Sequence, residues 1–218
     1  MSIYVENLTF FYGDKKVLCD INLEVKANER IGIVGISGGG KSTLLKLLSG
    51  LYAPQTGIVE VCKARAPEDI RRNVAMVMQN AMLFPASIKE NITCGHDMDE
   101  ETINRACEAA QLSEWIFTLP KGLDSFVGER GTKVSGGQAQ RIAIARAIAK
   151  NAAVVLLDEA TSALDNETSS AVAAALDNLM KNKTVVSVSH RPEMLTNCGC
   201  IYRLEGGRLY ALRDPRTF

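Results

Sequence analysis

The sequence predicts an α/β fold whose core is a parallel sheet flanked by helices. Short, continuously apolar runs at residues 31–34 and 154–157 are typical of strands buried on both faces. Helical patterns of about 10–15 residues separate the strands of the last third, and this alternation favours parallel strands joined by helices. The first third is rich in strand and turn signals, and a helical block interrupts the buried strands. We therefore expect an N-terminal antiparallel β-subdomain and an inserted helical subdomain around this core.

The first third predicts a half-buried strand and, later, a single helix. Ile21, Leu23 and Val25 alternate with polar neighbours, as they would in a strand with one buried face. After the apolar run at 31–34 the chain enters a glycine-rich stretch and then a helix predicted over residues 42–49. Gly50 follows as its C-terminal cap.

The middle of the chain predicts helices. Ser87 and Glu90 have the spacing of a capping box, which marks the start of one of them. The next helix has an apolar face formed by Ile103, Ala106, Cys107 and Ala110. Further helices are predicted over residues 138–149 and 167–180, and further strands over 74–78 and 184–189. We therefore assign residues 1–80 and 152–218, approximately, to the β-subdomain and core, and residues 81–151 to the helical subdomain.

The composition excludes several other classes of protein. The 25 basic residues balance 25 acidic ones, so no global field attracts nucleic acid or an anionic membrane. Hydrophobic residues make up 46% of the chain, which is enough for a sizeable core. No run of about 18 apolar residues predicts a transmembrane helix, and the N-terminus lacks the pattern of a signal peptide. The six cysteines form no C-x-x-C pair, which favours reduced thiols.

The glycine loop, residues 35–42, has the sequence GISGGGKS and matches the pattern G-x-x-x-x-G-K-[ST]. Glycines let backbone N–H groups converge on phosphate oxygens, and a helix N-terminus favours negative charge. Lys41 is placed to reach the β- and γ-phosphates, and the Ser42 hydroxyl to coordinate Mg²⁺. A glycine turn that happens to precede Lys-Ser is the structural alternative; the predicted strand before it and helix after it argue against that. We predict nucleotide contacts from Gly35, Ser37, Gly38, Gly39, Gly40, Lys41, Ser42 and Thr43.

Two carboxylates end the apolar run at 154–157. Asp158 is expected to bind Mg²⁺ through water, as the second motif of P-loop nucleotide triphosphatases does. Glu159 is one residue further on, where it can polarise the attacking water. A strand that ends in Asp-Glu often only starts a turn, but together with the glycine loop it predicts hydrolysis of a nucleoside triphosphate.

Two further segments resemble one family. The signature, VSGGQ at 134–138, is followed by QRIAIARA at 140–147, and the pair resembles the signature motif and following helix of ATP-binding cassette (ABC) domains. LDEATSALD at 157–165 resembles the second acidic motif of that family and its D-loop, whose Asp165 is an implied nucleotide contact. The resemblance covers the chain from about Val5 to Leu209. It implies an ATPase that uses ATP and Mg²⁺.

The resemblance implies roles for three more residues. Tyr12 resembles the aromatic residue that stacks on adenine, with an ordinary packed aromatic as the alternative. Gln79 resembles the glutamine that ligates Mg²⁺ and communicates with the membrane domain, and His190 resembles the switch histidine at the γ-phosphate. The implied catalytic residues are Glu159, His190 and Gln79, and the implied metal ligands are Ser42, Gln79 and Asp158.

The resemblance also implies a head-to-tail dimer that buries two ATP molecules. The signature lies at a predicted helix start, which favours an anion, yet the glycine loop already holds the phosphates of its own chain. We therefore expect the signature to contact the γ-phosphate of ATP held by a second ATP-binding domain. The contacts would come from Ser135, Gly136, Gly137 and Gln138.

Two segments resemble exporter cassettes in particular. LFPASIKENI at 83–92 resembles one of their motifs, and VGERG at 127–131 resembles the loop that touches their membrane domain. The implied partner is a transmembrane domain, in the same chain or in a separate subunit. This domain itself is expected at the cytoplasmic face of the cell membrane. No nucleic-acid partner is expected. Departures from the family pattern at Pro85, Val134 and Ala139 remove no catalytic group.

Two other functions remain open at this level. A cassette linked to nucleic acid, such as a translation factor or a chromosome-condensing ATPase, would be expected to carry a second cassette or a long coiled coil, and this sequence has neither. A regulatory cassette would bind ATP without turnover. The presence of Lys41, Glu159 and His190 argues against that alternative.

Overall fold

The computed structural model describes residues 1–160, 166–189 and 195–212. Its strands are β1 (Ile3–Tyr12), β2 (Lys15–Val25), β3 (Arg30–Val34), β4 (Thr56–Val61), β5 (Val74–Val77), β6 (Val154–Asp158), β7 (Thr184–Val188), β8 (Cys200–Glu205) and β9 (Arg208–Leu212). Its helices are α1 (Lys41–Leu48), α2 (Pro67–Asn73), α3 (Ile88–Thr93), α4 (Glu100–Ala109), α5 (Ser113–Phe117), α6 (Gly136–Lys150) and α7 (Asn166–Met180).

The N-terminal strands form the expected antiparallel sheet, in which β1 lies between β2 and β4. Ile3 pairs with Val25 of β2 and with Val61 of β4, and all three side chains are buried. Ile21 and Leu23 are buried as well, whereas Asn22 and Glu24, which alternate with them, are exposed. The predicted alternation is therefore confirmed, because successive side chains of a strand point to opposite faces.

The second sheet has the strand order β5-β6-β7-β3-β8-β9. Strand β3 runs parallel to β7 and β8, strand β6 runs parallel to β7, and β9 forms an antiparallel hairpin with β8. Residues 31–34 and 154–157 are buried, as predicted for strands covered on both faces. The α/β fold class is confirmed. Because these strands are parallel, the residues that follow β3 and β6 lie at the same edge of the sheet.

Three helices, α3, α4 and α7, pack against α6. The buried side of α6 includes Ile142, Ile144 and several alanines. The helix begins two residues before its predicted start at 138, because Ser135 provides the N-cap. The predicted capping box at Ser87 and Glu90 is present and starts α3.

Contacts divide the chain into two compact units. Unit 1 comprises Met1–Met76, Ala152–Glu159 and Asn182–Phe218, and unit 2 comprises Val77–Asn151 and Ala160–Lys181. Unit 2 thus includes α7, which packs on α6. The boundaries drawn from the sequence, with a helical subdomain at about 81–151, stay a prediction of how the subdomains divide.

Within the described ranges, no helix combines the length and the apolar character needed to cross a membrane. All six cysteines are free thiols. Burial raises the pKa of Cys107 to about 11, and it is the main cause that raises the pKa of Cys198 to about 11.

Candidate functional site

The glycine loop joins β3 to α1 in unit 1. The Lys41 ammonium donates hydrogen bonds to the carbonyl oxygens of Gly35, at 2.7 Å, and of Ile36, at 2.9 Å. Gly40 is the N-cap of α1 and has a φ of +100°. A Cβ atom there would lie 3.0 Å from Leu18 and 3.2 Å from Val17. The position therefore requires glycine both for its backbone conformation and for its space.

Lys41 is only 6% exposed, an unusual environment for an ammonium group. Burial lowers its pKa below the usual value, and the nearby carboxylates of Glu159 and Asp158 oppose that shift. The sheet explains this proximity, since the glycine loop follows β3 and the two carboxylates end β6. The structure thus brings together the loop lysine and both acidic residues that the sequence singled out.

Glu159 has a left-handed backbone with a φ of +48°, which is uncommon for a residue other than glycine. Its N–H donates to the carbonyl of Val188 at 2.9 Å, so strand β7 holds the strained residue from one side. Asp158, just before it, pairs in register with the same Val188. Strain of this kind persists only where the surroundings enforce it, and it concentrates at functional sites.

Tyr12 ends β1 in unit 1 and its side chain is 44% exposed. Its hydroxyl shares a 3.4 Å hydrogen bond with that of Thr43 in α1. Its ring also meets the edges of two other rings, with centroids 5.2 Å from Phe10 and 5.9 Å from Tyr52. The ring is therefore held close to α1 while part of its surface stays open to a ligand. Ser37, Gly38 and Ser42 are exposed as well.

The signature starts α6 in unit 2. The Ser135 hydroxyl accepts a hydrogen bond from the Gln138 N–H at 3.2 Å, and the Gln138 side chain accepts one from the Ser135 N–H at 2.8 Å. These reciprocal bonds form a capping box, which fixes the helix start. Gly136 is exposed, has no positive φ, and a Cβ there would meet nothing within 4 Å. Gly137 is buried. Gln79 follows β5 by two residues and is exposed.

The two exporter-like segments lie side by side in unit 2. The Ile88 N–H donates to Ser125, and the Val127 N–H donates to Ala86, so residues 83–92 are hydrogen-bonded to residues 125–127. Next to this junction the side chains of an apolar surface are exposed. We define the apolar surface as Met82, Phe84 and Phe126.

Asn91 and Arg146 hold that surface in place, and the sequence reasoning did not identify either of them. Asn91 is fully buried, and its side chain bonds to both the N–H and the carbonyl of Phe84, at 2.8 and 3.0 Å. Arg146 donates to the carbonyls of Asn91 and Met82 and lies over the Phe84 ring at 5.4 Å. An asparagine among the apolar positions of α3 was the available signal.

Asp165 and His190 lie outside the described residues, so their assigned roles stay predictions. The others divide between the units. Unit 1 contains Tyr12, Gly35, Ser37, Gly38, Gly39, Gly40, Lys41, Ser42, Thr43, Asp158 and Glu159, and unit 2 contains Gln79, Ser135, Gly136, Gly137 and Gln138.

A family profile described as "ABC transporter" matches residues 18–162 of the 218-residue chain. The chain belongs to the ABC transporter family. It is an ATP-binding and ATP-hydrolysing domain of the exporter type, as the signature, the glycine loop and the exporter-like segments led us to expect.

Named relatives of this ABC domain support the exporter branch. The ATP-dependent lipid A-core flippase of Methylobacillus flagellatus is 43% identical over 216 residues, which cover 95% of this chain and 37% of the flippase. ABC transporter B family member 21 of Arabidopsis thaliana is 40% identical over 228 residues, covering 98% of this chain and 18% of that protein. These relatives give no support to the nucleic-acid-linked or regulatory alternatives.

A solved structure of a bacterial Atm1-family ABC exporter with ATP bound is also similar, with a TM-score of 0.85 and 36% identity. The match covers 95% of this chain and 37% of the exporter chain. The ABC domain thus spans less than two fifths of the length of these relatives.

Proposed function

We propose that this ABC domain drives transport across a membrane by binding Mg·ATP, dimerising head to tail, and hydrolysing the ATP with Glu159 as the principal catalytic carboxylate. This ABC domain lies at the cytoplasmic face of the membrane, and its partner is a transmembrane domain in the same chain or in a separate subunit. His190 assists at the γ-phosphate. The observation that carries the proposal is that the glycine loop after β3 and the carboxylates at the end of β6 lie at one edge of the sheet, near enough for Asp158 and Glu159 to act on the Lys41 ammonium.

The donor atoms in unit 1 fit Mg²⁺. Ser42 has an exposed hydroxyl at the second residue of α1, and Asp158 contributes a carboxylate at the end of β6. Hydroxyl and carboxylate oxygens are the hard ligands that Mg²⁺ prefers. A bound Mg²⁺ would neutralise charge on the β- and γ-phosphates. Asp158 would hold it, and Glu159, one residue on, would remain available to orient water.

Gly136 supports a role for the signature in a dimer. Among the described residues nothing requires glycine there, since its φ is not positive and a Cβ would meet none of their atoms within 4 Å. A glycine that the fold does not need is explained by a ligand that approaches the backbone closely. ATP held by the glycine loop of a second copy is that ligand in our proposal, and the exposed N-terminus of α6 would favour its γ-phosphate.

The apolar surface supports a transmembrane partner. It exposes 55% of Phe84, and Asn91 and Arg146 fix the backbone beneath it. Exposed apolar groups on a rigid support are typical of protein interfaces. Phe84 belongs to the exporter-like segment 83–92, and Met82 and Phe126 directly precede the two exporter-like segments, which supports a partner contact specific to the exporter branch.

Glu159→Gln tests the catalytic assignment. General-base assistance typically contributes about 10²–10⁴-fold, so turnover should fall in that range while ATP affinity is kept. The same variant with saturating ATP should sediment as a dimer, whereas Glu129→Gln, an exposed glutamate of unit 2, should behave as wild type. Hydrolysis by Glu159→Gln at the wild-type rate, with contaminating ATPases excluded, would refute the mechanism.

Phe84→Asp tests the partner surface. In a complex with its transmembrane domain, this variant should lose co-purification or ATP-driven transport, because a charge replaces the apolar contact. ATP hydrolysis by the ABC domain alone should be unchanged. The matched control is Phe117→Asp, which alters a phenylalanine of the same unit that is 91% exposed but lies outside the apolar surface. Equal effects of the two variants would exclude a specific role for Phe84.

A further inference from the structure

Gln140 is a polar residue on the buried face of α6. Its side chain is 3% exposed, and it shares that face with Gly137 and Ile144, one turn before and one turn after it. Its amide nitrogen donates to the carbonyl of Met78 at 3.2 Å and to the carbonyl of Ala160 at 3.0 Å. Both hydrogens of the amide are therefore used, each on the backbone of a different segment.

The two carbonyls adjoin residues of the proposed site. Met78 directly precedes Gln79, and Ala160 directly follows Glu159, while the helix that carries Gln140 begins at the signature. A single buried amide in unit 2 thus joins three segments, each of which contains one group proposed to act on ATP.

Among the described residues, these segments line a common cavity of about 210 Å³, formed by residues 79–81, by Gly136 and Ala139, and by Gln140 and Ala160. Beside a cavity, hydrogen bonds help to decide the relative positions of backbone segments, and a lost donor leaves buried carbonyls unsatisfied. Gln140, in the lining of this cavity, supplies two such bonds.

The strain at Glu159 explains why its position needs support. The φ of +48° is costly for glutamate and persists only if the residues around it are held. On one side, the Glu159 N–H is bonded to Val188. On the other side, the carbonyl of the next residue, Ala160, is bonded to Gln140. Without the second bond the backbone can relax and the carboxylate can move.

We propose that Gln140 is a positioning residue for ATP hydrolysis, which holds the backbone after Glu159 and before Gln79 to the signature helix. The proposal rests on the catalytic role of Glu159 given above. Gln140 does not touch ATP, so its loss should slow turnover and leave nucleotide binding intact, since the glycine loop is unaltered.

Gln140→Met is the first test, because the methionine side chain has a similar length and shape but cannot donate a hydrogen bond. A displacement of about 1 Å in a catalytic group costs up to about 10²-fold. We therefore expect kcat to fall by about 10- to 100-fold, with KM for ATP and the Kd of a non-hydrolysable ATP analogue changed by less than about twofold. The matched control is Asn178→Leu, which removes another amide-to-carbonyl bond of unit 2, from α7 to Ala109 at 2.9 Å. It should leave kcat within about twofold of wild type.

The pH dependence of kcat in Gln140→Glu provides a second test, because a merely structural role of Gln140 would not alter that dependence. When protonated, the introduced carboxyl can donate one hydrogen bond, and when ionised it can donate none. The ratio of its kcat to that of wild type should therefore fall as pH rises, whereas the ratio for Gln140→Met should be independent of pH. This variant also provides the test if Gln140→Met does not fold.

The outcomes separate this proposal from the one on which it rests. Wild-type kcat in both Gln140 variants, while Glu159→Gln is inactive, would overturn the role of Gln140 alone. The role of Gln140 would also be overturned if Asn178→Leu lowered kcat equally, or if Gln140→Met raised KM for ATP instead of lowering kcat. Active Glu159→Gln would instead refute the catalytic assignment itself.

Discussion

The glycine loop and the signature are both rich in glycine, but the reasons differ. In the glycine loop of unit 1, a Cβ at Gly40 would press on Leu18 and Val17, and one at Gly35 would collide with the backbone carbonyl of Leu204. In the signature of unit 2, a Cβ at Gly136 would meet nothing. The described part of the fold therefore requires glycine at Gly35 and Gly40, whereas it gives no reason for the glycine at Gly136, which the proposed contact with ATP of a second ATP-binding domain would explain.

The two motifs also differ in how their charges and polar groups are satisfied. The glycine loop encloses its own cation, because Lys41 lies within it and bonds to its carbonyls. The signature has no cation of its own among residues 134–138, and its serine and glutamine satisfy each other. These differences support the proposal that the loop binds ATP and that the signature adds to the site of a second ATP-binding domain.

Lys41→Ala should produce the largest change in ATP binding. Hydrogen bonds to charged groups contribute about 1.5–3 kcal/mol, so losing the ammonium at the phosphates should weaken ATP affinity by about 10- to 100-fold or more. Calorimetric titration measures this directly. Lys89→Ala, which removes the same charge in unit 2, is the control and should not alter affinity. Unchanged affinity in Lys41→Ala would remove the loop from the nucleotide site.

Alanine at the two kinds of glycine should separate folding from function. Gly40→Ala forces a side chain into a left-handed, crowded position and should lower the free energy of unfolding by about 1–3 kcal/mol. Gly136→Ala should not lower that free energy, and can raise it by up to about 1 kcal/mol because alanine favours the helix. It should nevertheless impair ATP-dependent dimerisation. Urea unfolding and sedimentation test both, and equal destabilisation by the two would contradict the comparison.

Tyr12 offers the smallest and most graded effect. Tyr12→Phe keeps the ring but loses the long hydrogen bond to Thr43, so ATP affinity should change by less than about 1 kcal/mol. Tyr12→Ala removes the ring, and stacking of a base on an aromatic side chain is worth about 1–3 kcal/mol. Fluorescence competition with ATP and a nucleotide lacking adenine separates the two. A large loss in Tyr12→Phe would assign its role to the hydroxyl rather than to stacking.

Features set by neighbours in the sequence could be predicted well. The buried strands at 31–34 and 154–157, the capping box of Ser87 and Glu90, and the glycine loop depend on periodicity or on the spacing of nearby residues. The start of helix α6 was predicted two residues too late, because the capping box of Ser135 and Gln138 was not recognised in the sequence.

The sequence by itself determined the α/β class and the family, and it predicted which residues would contact phosphate, metal and water. Only the tertiary structure decided how distant segments hold these groups. The left-handed backbone of Glu159, the bonds of Gln140 to Met78 and Ala160, and the support of Phe84 by Asn91 and Arg146 could not be predicted. The hydrogen bonds of Gln140 and of Arg146 join segments far apart in the chain, and local propensity carries no information about which carbonyl a buried side chain will reach.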